Sequence, residues 1–306
     1  MHDTLARLLV LLVTMLTRLP WPWLRGLADA LAALTLRRNA REARVARRNL
    51  ELAYPELLPT QRDELQAAVV RGAARQTLET LRLWTRDAPR NLACIDRTVG
   101  AHLLDEAIAA GRGVIVSAPH HGNWELLNQW LAARTPLAVL YAPPDSPVME
   151  AFLRRVRAVN GQPGRVVQVR AEAAGVRQLF KWLREGGVAG ILPDQQPKQG
   201  DGEFAPFFGQ PALTMSLLGR LASRTGATVL MAWCERIGER ADGPRFALHI
   251  EPAPTEIADA DPAVAATALN RAVEHVARRD PAQYQWTYKR FSLQPDGGNP
   301  YWPDCY

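Results

Sequence analysis

The sequence predicts an α/β fold: a layered sandwich with a mostly parallel central sheet flanked by helices, plus an N-terminal membrane-anchoring helix. Three observations carry this. From residue 103 onward, short β-branched runs alternate with helix-period segments, the pattern of strands joined by crossover helices. Two clusters of polar residues follow directly on such runs, where a parallel sheet presents ligands at the carboxyl ends of its strands. The first fifty residues differ in kind, being apolar and then arginine-rich. The chain has 306 residues, 47% hydrophobic and 22% charged, with a formal charge of +6. That length and composition give a globular chain with a substantial core, and the positive balance suits an anionic partner.

The N-terminal stretch "LARLLVLLVTML" (5–16) is nearly all apolar, and "LADALAALTL" (27–36) is a second such run. A simple spanning helix needs about 20 apolar residues without interior charge, and neither run reaches that alone. Arg18 and "WPWLRG" stand where a secretory cleavage site would have small residues. Trp21 and Trp23 suit the headgroup level of a bilayer. Arg37, Arg38, Arg41, Arg44, Arg47 and Arg48 then face one acid, Glu42. This reads as a juxtamembrane basic segment on the cytoplasmic side, so residues 1–50 are assigned as a membrane-anchoring segment and 51–306 as the globular domain.

Within that domain, Pro59–Trp84 has helical periodicity. "LLDEAIAAGRG" (103–113) is a helix stopped by glycine, "GVIVSAP" a buried strand, "WELLNQWLAA" a helix and "LAVLYAP" a strand. "VMEAFLRRVRAVNG" is a helix with a glycine stop, "GRVVQVR" a strand, "AAGVRQLFKWLREGG" a helix and "VAGILPD" a strand. "LTMSLLGRLASRTGA" is expected as a helix, "TVLMAWCER" and "RFALHIEP" as strands, and "PAVAATALNRAVEHVARRDP" as a long helix. Cys94, Cys234 and Cys305 are too widely spaced for a disulfide framework or a zinc knuckle and fit a reducing compartment.

The polar cluster "SAPHHGNWELL" (117–127) holds the chemistry. His120 leaves a strand, and Glu125 falls in the first turn of the next helix, where the macrodipole favours an ionised carboxylate. A carboxylate accepting from one imidazole nitrogen fixes the tautomer and leaves the other nitrogen free as a general base. Gly122 permits a close turn, and Asn123 is a good N-cap. From the pair alone, a structural histidine bonded to a loop carbonyl fits as well as a base. His121 diverges in direction from His120. No third ligand stands at metal spacing; there is no G-x-S-x-G elbow, no P-loop and no complete dinucleotide fingerprint. Only the basic helix speaks for nucleic acid.

"HHGNWE" resembles the His-x-x-x-x-Asp/Glu box of glycerolipid-type acyltransferases and, in this form, the lipid A late acyltransferases, the Kdo-dependent lauroyl/myristoyl transferases. The resemblance extends to "VARRNLELAYPEL", with Tyr54 in place of the usual Phe, to the block from "GGVAGILPDQQPKQGDGEF" through "LASRTGA", and to "DPAQYQWTYKRF". His121 stands where the family often has an aromatic or other residue, and Lys289 precedes Arg290.

The resemblance implies an acyltransferase domain over residues 51–306, at the cytoplasmic face of the inner membrane. It implies transfer of a fatty acyl chain from acyl carrier protein to a hydroxyl of a lipid A precursor, without metal, organic cofactor or nucleic acid. His120 and Glu125 carry over as catalytic, with Arg170 (Arg165 its rival), Asp194 and Gln195 as further site positions. Asn123 joins them as a substrate contact, and the backbone N–H groups near Gly122 and Asn123 are candidate oxyanion donors. The alternatives are another glycolipid or phospholipid acceptor, or a non-catalytic lipid-binding relative.

Overall fold

The computed structural model describes residues 2–160 and 165–305. In chain order its elements are α1 (His2–Thr17), α2 (Trp21–Arg37), α3 (Arg41–Ala53), α4 (Pro59–Thr85), α5 (Ala88–Leu92), β1 (Ile95–Val99), α6 (Ala101–Ala109), β2 (Val114–Ser117), α7 (Trp124–Arg134), β3 (Leu137–Tyr141), α8 (Pro147–Asn160), β4 (Val166–Arg170), α9 (Ala173–Arg184), β5 (Val188–Ile191), β6 (Gly202–Phe207), β7 (Gln210–Met215), α10 (Leu217–Thr225), β8 (Thr228–Arg240), β9 (Gly243–Pro252) and α11 (Pro262–Arg279).

The main sheet has the order β1-β9-β8-β2-β5-β3-β4. All its pairs are parallel except β8–β9. A turn at residues 241–242 joins those two strands and returns the chain antiparallel. The expected α/β layering with a mostly parallel sheet is therefore present.

Every residue of β2 and of β5 is buried, as sheet strands covered on both faces require. Side-chain alternation splits β2 between two cores. Val114 and Val116 pack with Leu104, Leu127 and Leu131 under α6 and α7. Ile115 joins the larger core, where Leu50 of α3, Leu179 of α9, Leu221 of α10 and Val273 of α11 meet.

Two elements differ from expectation. β1 reads "IDRTV" and is mostly exposed, so an edge strand without an apolar run escaped the pattern. The stretch "LTM" is not the start of a helix but the end of β7, paired antiparallel to β6 with Phe204 opposite Leu213 and Glu203 opposite Thr214. The two-residue turn Phe208–Gly209 has positive φ at both positions (51° and 74°), the conformation that a tight hairpin demands. Phe208 is held there by ring contacts with Phe207, Tyr54 and Trp286. The glycine expected to stop the helix at 161 lies outside the described residues.

The N-terminus folds as two helices bent by 110° at the break after Thr17, and no single helix among the described residues is long and apolar enough to cross a membrane. Each lays one stripe on the domain: Ala6 and Val13 of α1 against Phe152 and Val156 of α8, and Trp21, Leu24 and Ala28 of α2 against Leu78 of α4. Leu5, Leu8, Leu12 and Met15 of α1 and Trp23, Leu31 and Leu34 of α2 face outward and exposed.

The two tryptophans separate. Trp23 is 72% exposed, whereas Trp21 is buried and donates its Nε1–H to Glu239. Three of the six arginines read as a headgroup-facing run instead serve the fold: Arg48 donates to the Pro300 carbonyl and pairs with Glu51, Arg44 donates to the Asp304 carbonyl, and Arg47 reaches Gln66.

Candidate active site

β2 and β5 are hydrogen-bonded neighbours, with Ser117 level with Ile191. The loops that leave their carboxyl ends must therefore run side by side. This brings His120 and Asp194 together across 74 residues: His120 Nδ1 lies 2.8 Å from Asp194 Oδ1, and the His120 backbone N–H donates to Oδ2 at 2.9 Å. Ionised carboxylates only accept, so the carboxylate selects the tautomer with the proton on Nδ1. Nε2 is left as the acceptor, 3.3 Å from the Gln195 side-chain amide.

Burial alone would push the Asp194 carboxyl up. The adjacent His120, its two hydrogen bonds and the Tyr284 hydroxyl overcome this and hold Asp194 below the ordinary carboxylate value. A buried ionised Asp bound to one imidazole nitrogen is the arrangement that orients a general base.

The C-terminal "QYQW" segment straps this loop from outside the sheet. The Gln285 N–H donates to the His120 carbonyl, the Gly122 N–H donates to the Gln283 carbonyl, and His121 bridges to Tyr284. Gly122 has φ +61°, and a Cβ there would lie 2.0 Å from the Cys234 carbonyl oxygen, so only glycine lets the loop sit this close to β8.

The geometry departs from five expectations. The first concerns Glu125, whose carboxylate binds Arg157 (Nη2–Oε1 2.6 Å), not the imidazole. The tight turn at Gly122 starts α7 at Trp124, and the Trp124 ring, 6.0 Å from the imidazole, stands beside His120 instead. Second, Asn123 is buried and caps α7, its Oδ1 accepting from the Leu126 N–H; it does not line the cleft.

Third, the Gly122 and Asn123 N–H groups already donate to Gln283 and Cys234 carbonyls and are not free for an oxyanion. Fourth, Arg170 is 57% exposed, pairs with Glu150 and Glu172, and is absent from the cleft lining; its rival Arg165 donates to the Ala133 carbonyl. Fifth, Asp194, expected as a substrate contact, is buried, and its carboxylate binds His120.

His120, Glu125 and Gln195 line one cleft of about 1360 Å³, larger than most small-ligand sites. Trp84, Val139, Leu140, Leu153, Leu192 and Met215 form its apolar wall. Arg154, Arg157 and Arg220 also face it. Arg157 sits over the Trp124 and Tyr141 rings at 5.8 and 5.7 Å from their centroids. Sequence reading passed over Arg157. Its available signal was the helical spacing of "FLRRVR", which puts Arg154 and Arg157 three apart on the face opposite the buried Phe152 and Val156.

His121 is fully buried with neither ring nitrogen hydrogen-bonded, and burial pushes its imidazole down to about 4. In the unfolded chain it takes a proton below about pH 6.5. Between pH 6.5 and 4 the unfolded state therefore binds the extra proton, and His121 removes up to about 3 kcal/mol of stability as pH falls through that window. His121→Gln is expected to reduce the slope of unfolding free energy against pH over this window, measured by urea titrations at a series of pH values. An unchanged slope would contradict a neutral buried His121.

Comparison with known proteins adds to this geometry. The family model described as bacterial lipid A biosynthesis acyltransferase matches residues 3–292. The lipid A biosynthesis palmitoleoyltransferase of Escherichia coli strain K12 is 27% identical over 286 residues, 92% of this chain and 88% of that protein. The lipid A biosynthesis lauroyltransferase of the same organism is 25% identical over 92% of this chain and 90% of its own length. A phosphatidylinositol mannoside acyltransferase of Mycobacterium tuberculosis is 28% identical over a shorter stretch, 56% of this chain and 54% of that protein.

Proposed function

The chain belongs to the bacterial lipid A biosynthesis acyltransferase family, and from that premise we propose how its cleft carries out the acyl transfer. The enzyme is an acyltransferase of lipid A biosynthesis, as its relatives of matching length are. The donor in this reading is an acyl carrier protein thioester, and the acceptor is a hydroxyl of a lipid A precursor. The observation that carries the mechanism is the His120–Asp194 bond, which leaves Nε2 unprotonated at the cleft.

His120 Nε2 takes the proton as the acceptor oxygen attacks the thioester carbonyl. The C–S bond then breaks, and the imidazolium returns the proton to the departing thiolate. Asp194 stabilises the imidazolium in between. Gln195 Nε2 and the Arg157 guanidinium, both on the cleft wall, are the donors we assign to the oxyanion; one such donor contributes about 10²–10³-fold in rate. Glu125 holds Arg157 in place. The apolar wall from Trp84 to Met215 receives the acyl chain.

The exposed leucines of α1 and α2 with Trp23 dip into one leaflet, the cytoplasmic face of the inner membrane, so that within residues 1–50 the anchor is α1 and α2, while α3 packs into the core. A second reading keeps this chemistry with a different glycolipid acceptor, favoured by the partial match to the mannoside acyltransferase. Mass spectrometry of lipid A from cells with and without the gene separates the two. We expect lipid A from cells carrying the gene to bear an additional acyl chain; an unchanged acyl pattern would overturn the lipid A acceptor.

A further inference from the structure

Outside the cleft, the strongest unassigned feature is a row of cations beside it. Arg177, Lys181 and Arg184 stand at spacings of four and three on α9, one ridge of the helix, and all three are exposed. Arg220 and Arg224, four apart on the adjoining α10, are exposed as well. Together with Phe180 and Glu185, four of these five cations line a groove of about 470 Å³, and Arg220 lines the His120 cleft itself. The only carboxylate in the groove is Glu185, 3.9 Å from Lys181. Among the described residues, no ion pair is formed by Arg177, Arg184, Arg220 or Arg224. The groove lies beside the cleft on the same two helices: Val176 and Arg220, next to Arg177 and one turn from Arg224, belong to the cleft wall.

Like charges held this close repel one another and are stabilised by an anionic partner. Two anionic surfaces compete for them, a membrane and an acidic protein. Lipid-contacting faces carry apolar residues among the cations. The densest run of exposed large hydrophobics lies on α1 and α2, others are scattered over the surface (Leu58, Met149, Phe204 and Trp302 among them), and none lies on α9 or α10. We propose that the α9–α10 ridge, Arg177, Lys181, Arg184, Arg220 and Arg224, docks the acidic carrier protein that delivers the acyl thioester, so that its prosthetic arm enters the His120 cleft past Val176 and Arg220. The inference rests on the acyl-transfer reading above and adds where the donor binds.

Charge complementarity of this kind acts mainly on encounter, by about 10–10³-fold in association rate, and is screened by salt. The test compares wild type with the triple variant R177E/R184E/R224E, whose side chains are exposed and outside the cleft. Transfer to lipid A precursor is measured from dodecanoyl–acyl carrier protein and from dodecanoyl-pantetheine.

The variant is expected to raise KM for the carrier thioester at least about 10-fold and to lose most of its salt dependence. Kinetics with the pantetheine thioester and binding to phosphatidylglycerol vesicles should stay as in wild type. An unchanged KM for the carrier thioester would overturn the docking site while leaving the acyl-transfer reading intact. Lost vesicle binding with an unchanged carrier KM would show that the ridge faces lipid, and also overturns it. A wild type that transfers from neither thioester would remove the acyl-transfer reading and the docking site together. Should the triple variant melt below wild type, the single Arg224→Glu change carries the same comparison.

Discussion

His120→Ala is expected to lower kcat for acyl transfer by about 10²–10⁴-fold, the contribution of a positioned general base. The substitution removes the imidazole that takes the acceptor proton and leaves the cleft wall in place. It also strips Asp194 of one partner, since the carboxylate otherwise keeps only the residue 120 backbone N–H and the Tyr284 hydroxyl. A buried carboxylate that loses a partner destabilises the fold. His120→Gln therefore belongs beside it: it offers Asp194 a donor but has no basic nitrogen. Both variants are expected to lose transfer, with Gln melting closer to wild type. Retained activity in either would move the base away from His120.

Asp194→Asn is expected to cost about 10³–10⁴-fold in kcat, the size of loss seen when an orienting Asp loses its charge and the imidazole takes the wrong tautomer. Asp194 accepts from two donors of residue 120, one per oxygen. An asparagine has one acceptor oxygen, so its amide NH₂ must face the other site. The arrangement that satisfies both atoms turns Nδ1 into an acceptor and puts the proton on Nε2. That imidazole donates towards the cleft and cannot take a proton from the acceptor. Glu125→Gln is expected to act differently. It leaves Nδ1 and Asp194 untouched and removes a charge from the Arg157 pair, so kcat falls by about 10-fold, the scale of one charge-assisted hydrogen bond becoming neutral.

The contrast between these two carboxylates shows what the sequence made legible. His120 was visible because a strand, a glycine turn and a helix N-terminus are local features, written in "VSAPHHGNWE". Its partner was not, because the nearest carboxylate in sequence is Glu125 and the nearest in space is Asp194. The pairing of β2 with β5 decides which one reaches the imidazole, and strand order is a long-range property that periodicity does not report. For the same reason Gln285 and Tyr284 carried no sequence signal of a place against the His120 loop.

The fold class was legible from the buried β2 and β5 runs, whereas β1 had no apolar run to reveal it. The β6–β7 hairpin was hidden because its turn uses Phe208 at positive φ, a position usually marked by Asn or Gly. Arg170 drew attention as the arginine nearest the expected block, but it ends an edge strand, β4, and pairs at the surface. Arg157, one face of an amphipathic helix, reaches the cleft because α8 packs between α1 and α4.

In the proposed mechanism Asp194, and not Glu125, sets the protonation of His120. Long-range proton–nitrogen correlation spectra of the histidine side chains in wild type, D194N and E125Q test it directly. The expected spectra show a His120 ring protonated on Nδ1 and bare on Nε2 in wild type and in E125Q, with that pattern reversed or lost in D194N. A His120 tautomer that survives in D194N and is lost in E125Q would contradict it.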